Sequence, residues 1–83
     1  MKVKLRYFAS IREAVGQGTE TLETLAPTLA DLRDELIARG GGYAESLARG
    51  KAVRVALDQV MTDESVAVTD GAEVGFFPPV TGG

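Results

Sequence analysis

An 83-residue chain with 12 acidic and 9 basic residues carries a net charge of −3 and holds neither cysteine nor histidine. That length fits one small domain with a modest core. The missing residue types exclude disulfides, thiolate nucleophiles, histidine-based hydrolytic triads and Cys/His zinc sites. The acidic balance argues against nucleic-acid binding by bulk charge, and no apolar run reaches the ~20 residues of a membrane-crossing helix.

Residues 2–8 alternate, with Val3, Leu5 and Tyr7 on one side and Lys2, Lys4, Arg6 and Phe8 on the other. That is the pattern of a half-buried strand. Its first residues lack the apolar core of a signal peptide, so the expected location is cytoplasmic. Ser10, with Glu13 three residues on, predicts the N-cap of a short helix over residues 11–15. Arg12 and Glu13 read as its exposed start, and Gly16 and Gly18 end it. The threonine-rich segment 19–25 predicts a second strand that returns along the first as a hairpin.

Pro27-Thr28 opens the main helix. Thr28 is the predicted N-cap, and Asp31 sits near the positive end of the helix dipole. Leu29, Leu32, Leu36 and Ile37 form one apolar stripe at helical spacing, and Gly40-Gly41-Gly42 stops the helix. Residues 43–49 allow one or two more helical turns. Val53, Val55 and Leu57 alternate with Arg54, Ala56 and Asp58 in a third strand. Short strands are expected around Val60-Met61 and over residues 66–68. Asp70-Gly71 marks a turn, and residues 73–77 form the last strand, closed by Pro78-Pro79.

This order predicts an α+β fold of the ubiquitin-like β-grasp type, with a mixed sheet covered by one main helix. Residues 1–77 make the domain and residues 78–83 an extended, flexible tail. No repeat, linker or low-complexity segment interrupts it.

The tail reads Pro78-Pro79-Val80-Thr81-Gly82-Gly83. Two glycines in succession allow bare backbone to thread a narrow channel. The Gly83 carboxylate, with a reference pKa of about 3.3–3.7, is ionised at neutral pH and can attack an activated phosphate. Gly83 is therefore the candidate site of chemistry, with Gly82, Thr81 and Val80 as the threading segment. Six residues reach roughly 20 Å when extended, and the two prolines stiffen the base.

Period-two counting places Phe8 and Phe77 on the polar faces of the first and last strands. In a β-grasp sheet those strands are neighbours, so both rings should lie together beside the tail. Either a strand-end twist or loop buries them, or they form a docking surface, which Met61 is expected to join. The acidic groups Asp63-Glu64 and Asp31/Asp34/Glu35 read as solvated helix starts and turns, and no metal is assigned.

The segments Phe8-Ala9-x-x-Arg12-Glu13-x-x-Gly16 and Asp70-Gly71-x-Glu73-Val74-x-Phe76-Phe77-Pro78-Pro79-Val80-x-Gly82-Gly83 carry a family resemblance. Together they resemble the small subunits of molybdopterin synthase, the MoaD family, along the whole chain. Ala72, Gly75 and Asp58 depart from the family pattern. The resemblance implies that a ubiquitin-activator-like enzyme adenylates Gly83 with Mg-ATP, and that a sulfur donor then makes a thiocarboxylate. The candidate partner-binding residues are Phe8, Phe77 and Met61 of the counted face, with Pro78 and Pro79. The resemblance also implies that the large synthase subunit accepts the tail in its active site. There the sulfur passes to cyclic pyranopterin monophosphate in molybdenum cofactor biosynthesis. The chain would then be a sulfur-donor subunit without a bound cofactor, and no catalyst alone. Three other readings stay open: a carrier for thiazole or tRNA thiolation, a covalent protein modifier, and a plain interaction module.

Overall fold

The structure, a computed structural model, describes residues 1–79. Strand β1 (Lys2–Tyr7) turns into helix α1 (Ala9–Val15), which leads to β2 (Thr19–Glu23). Helices α2 (Leu29–Ile37) and α3 (Gly41–Leu47) follow, then β3 (Arg54–Leu57), β4 (Val60–Thr62) and β5 (Glu73–Phe77). The five strands form one sheet in the order β2-β1-β5-β3-β4. The central β1–β5 pair is parallel and the other pairs are antiparallel. The hairpins β1–β2 and β3–β4 lie on either side of β5, which pairs parallel with β1, and with a helix crossing one face they make the mixed β-grasp sheet that the element order predicts.

The period-two pattern decides which face is covered. Val3, Leu5 and Tyr7 of β1, Val55 of β3, and Val74 and Phe76 of β5 are buried. They pack against Leu29, Leu32 and Leu36 of α2, Leu47 of α3 and Ile11 of α1. Ile37 and Leu57 are half-buried at the margin of this cluster. Thr28 caps α2, its hydroxyl oxygen accepting the Asp31 N–H at 3.2 Å. The main helix is thus joined by two short helices on the same layer.

Two local expectations change. Ser10 is not a cap: α1 starts at Ala9, with Phe8 in the capping position and no side-chain capping bond. The chain turns at Ala9, whose φ is +49°, so the Phe8 carbonyl accepts the N–H groups of Ile11 and Arg12. Residues 66–68 form no strand and make one isolated bridge, Thr28 to Ala67. Their backbone is spent on the entry to α2: Leu29 N–H donates to the Val66 carbonyl, and Val68 N–H to that of Pro27. Gly16, by contrast, ends α1 in the left-handed conformation as its position predicts, with φ at +92°. Among the described residues no helix is long and apolar enough to cross a membrane.

Candidate docking face at the base of the tail

The helices leave the opposite face of the sheet open. Register brings Lys4 beside Glu73, Arg6 beside Gly75, Gly75 beside Ala56, and Ala56 beside Met61. The Phe8 N–H donates to the Phe76 carbonyl at 3.2 Å, continuing the parallel ladder one step past β1. Phe8 therefore lies alongside Phe77. Their rings stack with centroids 4.2 Å apart and planes inclined by 7°. The Arg6 guanidinium lies over the Phe8 ring at 5.2 Å and meets the Glu73 carboxylate at 3.7 Å. Offset stacking and cation–π contact hold the pair without burying it in the core.

Met61 stands on the short outer strand β4 and is about half exposed, at 51%. It shares one depression with Phe8 and Phe77. Pro78 is half-buried and Pro79 exposed. Both border a groove whose other lining includes Ser10, Ile11 and Ala14 of α1, and Lys51 beyond α3. The fold thus places Phe8, Phe77 and Met61 on one surface, and Pro78-Pro79 where that surface meets α1. Val80, Thr81, Gly82 and Gly83 lie outside the described residues.

Sequence reasoning missed the part played by Gly75. A Cβ on this residue would approach the Phe77 ring to 3.2 Å and the Phe8 ring to 3.3 Å, so both rings would have to shift by a few tenths of an ångström to admit it. The signal was present: a glycine inside the apolar strand Glu73–Phe77 marks a close approach by another group. Gln59 was also missed. It reaches the face from the β3–β4 turn, where Asp58 and Gln59 take φ values of +49° and +69°. Asp58 ties that turn to β5, its N–H donating to the Glu73 carbonyl and its carboxylate accepting the Glu73 N–H. Among the described residues no group of three or more Asp and Glu side chains is placed to hold a metal ion. What the face offers is apolar surface, cations and hydrogen-bonding groups.

A profile of the ThiS family matches residues 5–83. The chain is 38% identical over 81 residues to the molybdopterin synthase sulfur carrier subunit of Escherichia coli, covering 98% of this chain and 99% of that protein. It is 39% identical over 77 residues to the protein of the same name from Haemophilus influenzae, covering 93% and 94%. A solved complex of subunits 1 and 2 of molybdopterin-converting factor from Helicobacter pylori contains a chain of similar fold. Its TM-score is 0.70 at 26% identity, with both chains covered in full. With a family profile matched over nearly all its length and relatives this similar, the chain belongs to the ThiS family and, within it, to the small sulfur-carrier subunits of molybdopterin synthase.

Proposed function

We propose that this chain carries sulfur on the Gly83 carboxylate and delivers it inside the large subunit of molybdopterin synthase. The observation that carries this reading is the position of Phe77. It completes the apolar stack with Phe8 and directly precedes Pro78-Pro79, so docking face and tail base form one surface. A protein that grips this face receives the tail as well.

The chemistry needs little from the carrier itself. A carboxylate is a poor electrophile. Attack of a Gly83 carboxylate oxygen on the α-phosphorus of Mg-ATP, held by an activating enzyme, expels pyrophosphate and leaves a mixed anhydride. A sulfur donor then displaces AMP at the acyl carbon and leaves a thiocarboxylate, a more polarisable nucleophile than the carboxylate. In the large subunit that sulfur forms a C–S bond to cyclic pyranopterin monophosphate as an oxygen leaves the attacked carbon, and water then cleaves the acyl–S bond, leaving the sulfur on the pterin and returning the carboxylate. No step calls for an acid, base or metal from this chain, in keeping with a sequence without His or Cys. Every component of this reaction series is cytoplasmic in the reading proposed.

Intact mass spectrometry tests it. After incubation with Mg-ATP, activating enzyme and a sulfur source, the full chain gains the mass of one oxygen replaced by sulfur. A chain lacking Gly83 does not, because its carboxylate is withdrawn by about 3.3–3.6 Å, beyond the tolerance for attack. Equal mass gain by the shortened chain sinks the assignment of Gly83. Conjugates of high mass on an immunoblot, with no thiocarboxylate, would point instead to a protein modifier.

A further inference from the structure

The open face contains a dimple. Arg6, Gly75, Ala56 and Met61 form one row across β1, β5, β3 and β4, and the two middle members carry at most a methyl group. The stacked rings of Phe8 and Phe77 wall one side and Met61 closes one end, while Glu73 and Gln59 stand on the remaining rim. The dimple, open to solvent, has a volume of about 120 Å³. An apolar cavity of about 150 Å³ is large enough to bind benzene, so this one suits a leucine- or isoleucine-sized group. Gly75 sets the depth, since any Cβ there pushes against both rings.

We infer that this dimple receives one aliphatic side chain of the large subunit, and that Gly75 and Ala56 together decide which large subunit fits. The inference rests on the proposed docking of this face to that subunit. Its chemistry follows from the lining. The floor is methyl and bare backbone and the main wall is aromatic, so a polar or charged knob would lose its water without a partner. The rim is different. The Arg6–Glu73 pair and the Gln59 amide supply both donors and acceptors to the backbone flanking the inserted side chain. The occupant is the large subunit because the aromatic wall ends in Phe77, next to Pro78-Pro79. Whatever takes in the tail covers this face. Small side chains on the floor then act as a sieve: a knob that fills the dimple excludes water, and a larger one cannot seat.

The test is calorimetric titration of the full-length chain against its large subunit. Ala56→Leu fills the dimple from β3. It should weaken binding about 10- to 100-fold, the range set by losing one well-seated interface side chain. The melting temperature of the free carrier should stay within a few degrees of wild type. If Ala56→Leu does not fold, Gly75→Ala serves, with binding expected to fall about tenfold. A folded variant that binds as tightly as wild type overturns the inference and leaves the docking reading standing. A wild-type chain that binds no large subunit overturns both. If the wild type sediments as a dimer, and Ala56→Leu dissociates that dimer without changing large-subunit affinity, the occupant is a second copy and the inference fails.

Discussion

Gly42, the second residue of α3, rests on the backbone carbonyl of Ala14 near the end of α1. A Cβ on Gly42 would overlap both atoms of that carbonyl. Two helices meet at this point by backbone contact, and the meeting braces α1, whose first turn begins beside Phe8. Gly42→Ala should therefore destabilise the fold by about 1–3 kcal/mol through overpacking against backbone. That net loss comes despite the gain in helix propensity of about 1 kcal/mol that alanine brings. Gly50→Ala is the control, because a Cβ there meets nothing. Thermal melts of the two variants should separate clearly; if they coincide, α1 and α3 do not meet through their backbones.

Arg33 is a charged residue in the core layer, with its side chain only 4% exposed. Its Nε donates to the Leu47 carbonyl at 2.7 Å, and Nη2 to the carbonyls of Ala48 and Lys51. Its Nη1 donates to the Glu64 carboxylate at 2.7 Å. The planar fork therefore satisfies carbonyls that the end of α3 leaves open. Arg33→Met strands those acceptors together with part of the Glu64 charge. A loss of about 3–5 kcal/mol is expected in urea unfolding, as for removal of one partner from a buried ion pair. Arg33→Lys should recover little of it, since one ammonium cannot span the same acceptors. A loss below about 1 kcal/mol for Arg33→Met would be that of a surface residue and would refute this bridging role.

Glu20 gathers four donors. Tyr43 Oη lies 2.6 Å from the carboxylate, Arg39 Nη1 2.8 Å, Tyr7 Oη 2.9 Å and Gln17 Nε2 3.0 Å. Burial works to raise its pKa, but the hydrogen bonds from Tyr43, Arg39 and Tyr7 outweigh it and hold the carboxyl below its ordinary value. Burial, reinforced by the bond to Glu20, drives the Tyr7 phenol the other way, well above its ordinary value. For Glu20 a depressed folded pKa means stability that is fully present above the unfolded value of about 4.3. It is lost as pH falls through the lower folded value. Glu20→Gln should cost about 1–3 kcal/mol at neutral pH, the scale of hydrogen bonds to a charged group. The gap between the two melting curves should close as pH drops below the unfolded value of about 4.3. A gap that persists unchanged into acid would mean that the network acts by shape and not by charge.

The strands were legible because alternation is a direct record of burial. Val3, Leu5 and Tyr7 count out the covered face of β1, and Val74 and Phe76 that of β5. The start of α2 was legible because Thr28 and Asp31 leave a local chemical signature. The start of α1 was not, since backbone at Phe8 and Ala9 does the work that Ser10 seemed placed to do. Helix α3 opens inside a run of glycines, which local propensity reads as a break. Its contact with Ala14 is a tertiary fact that no window of neighbouring residues contains. Arg33 was hidden for the same reason, as its acceptors lie 14 to 18 residues further along the chain. At the docking face, the two aromatics could be counted out from strand period. The dimple between them and Met61 depends on Gly75 and Ala56 meeting across two strands, which only the register supplies.

Adjacent phenylalanines at the end of β5 provide the sharpest test of the register. Phe76 is fully buried, and its ring stacks near that of Tyr7 with centroids 6.0 Å apart. Phe77 points to the other face and stacks on Phe8. Phe76→Ala should cost about 3–5 kcal/mol of stability, enough to unfold much of so small a domain. Phe77→Ala should leave the melting temperature nearly unchanged and weaken binding to the large subunit by about 1–4 kcal/mol, as for an aromatic anchor. The two effects must not trade places. A one-residue slip of β5 against β1 would exchange the faces of both rings. Phe77→Ala would then unfold the protein, and Phe76→Ala would spare it. Guanidinium unfolding and calorimetric binding on the two variants decide between these patterns. The second pattern would remove the candidate docking face, and with it the structural support for the proposed delivery of Gly83 to the large subunit.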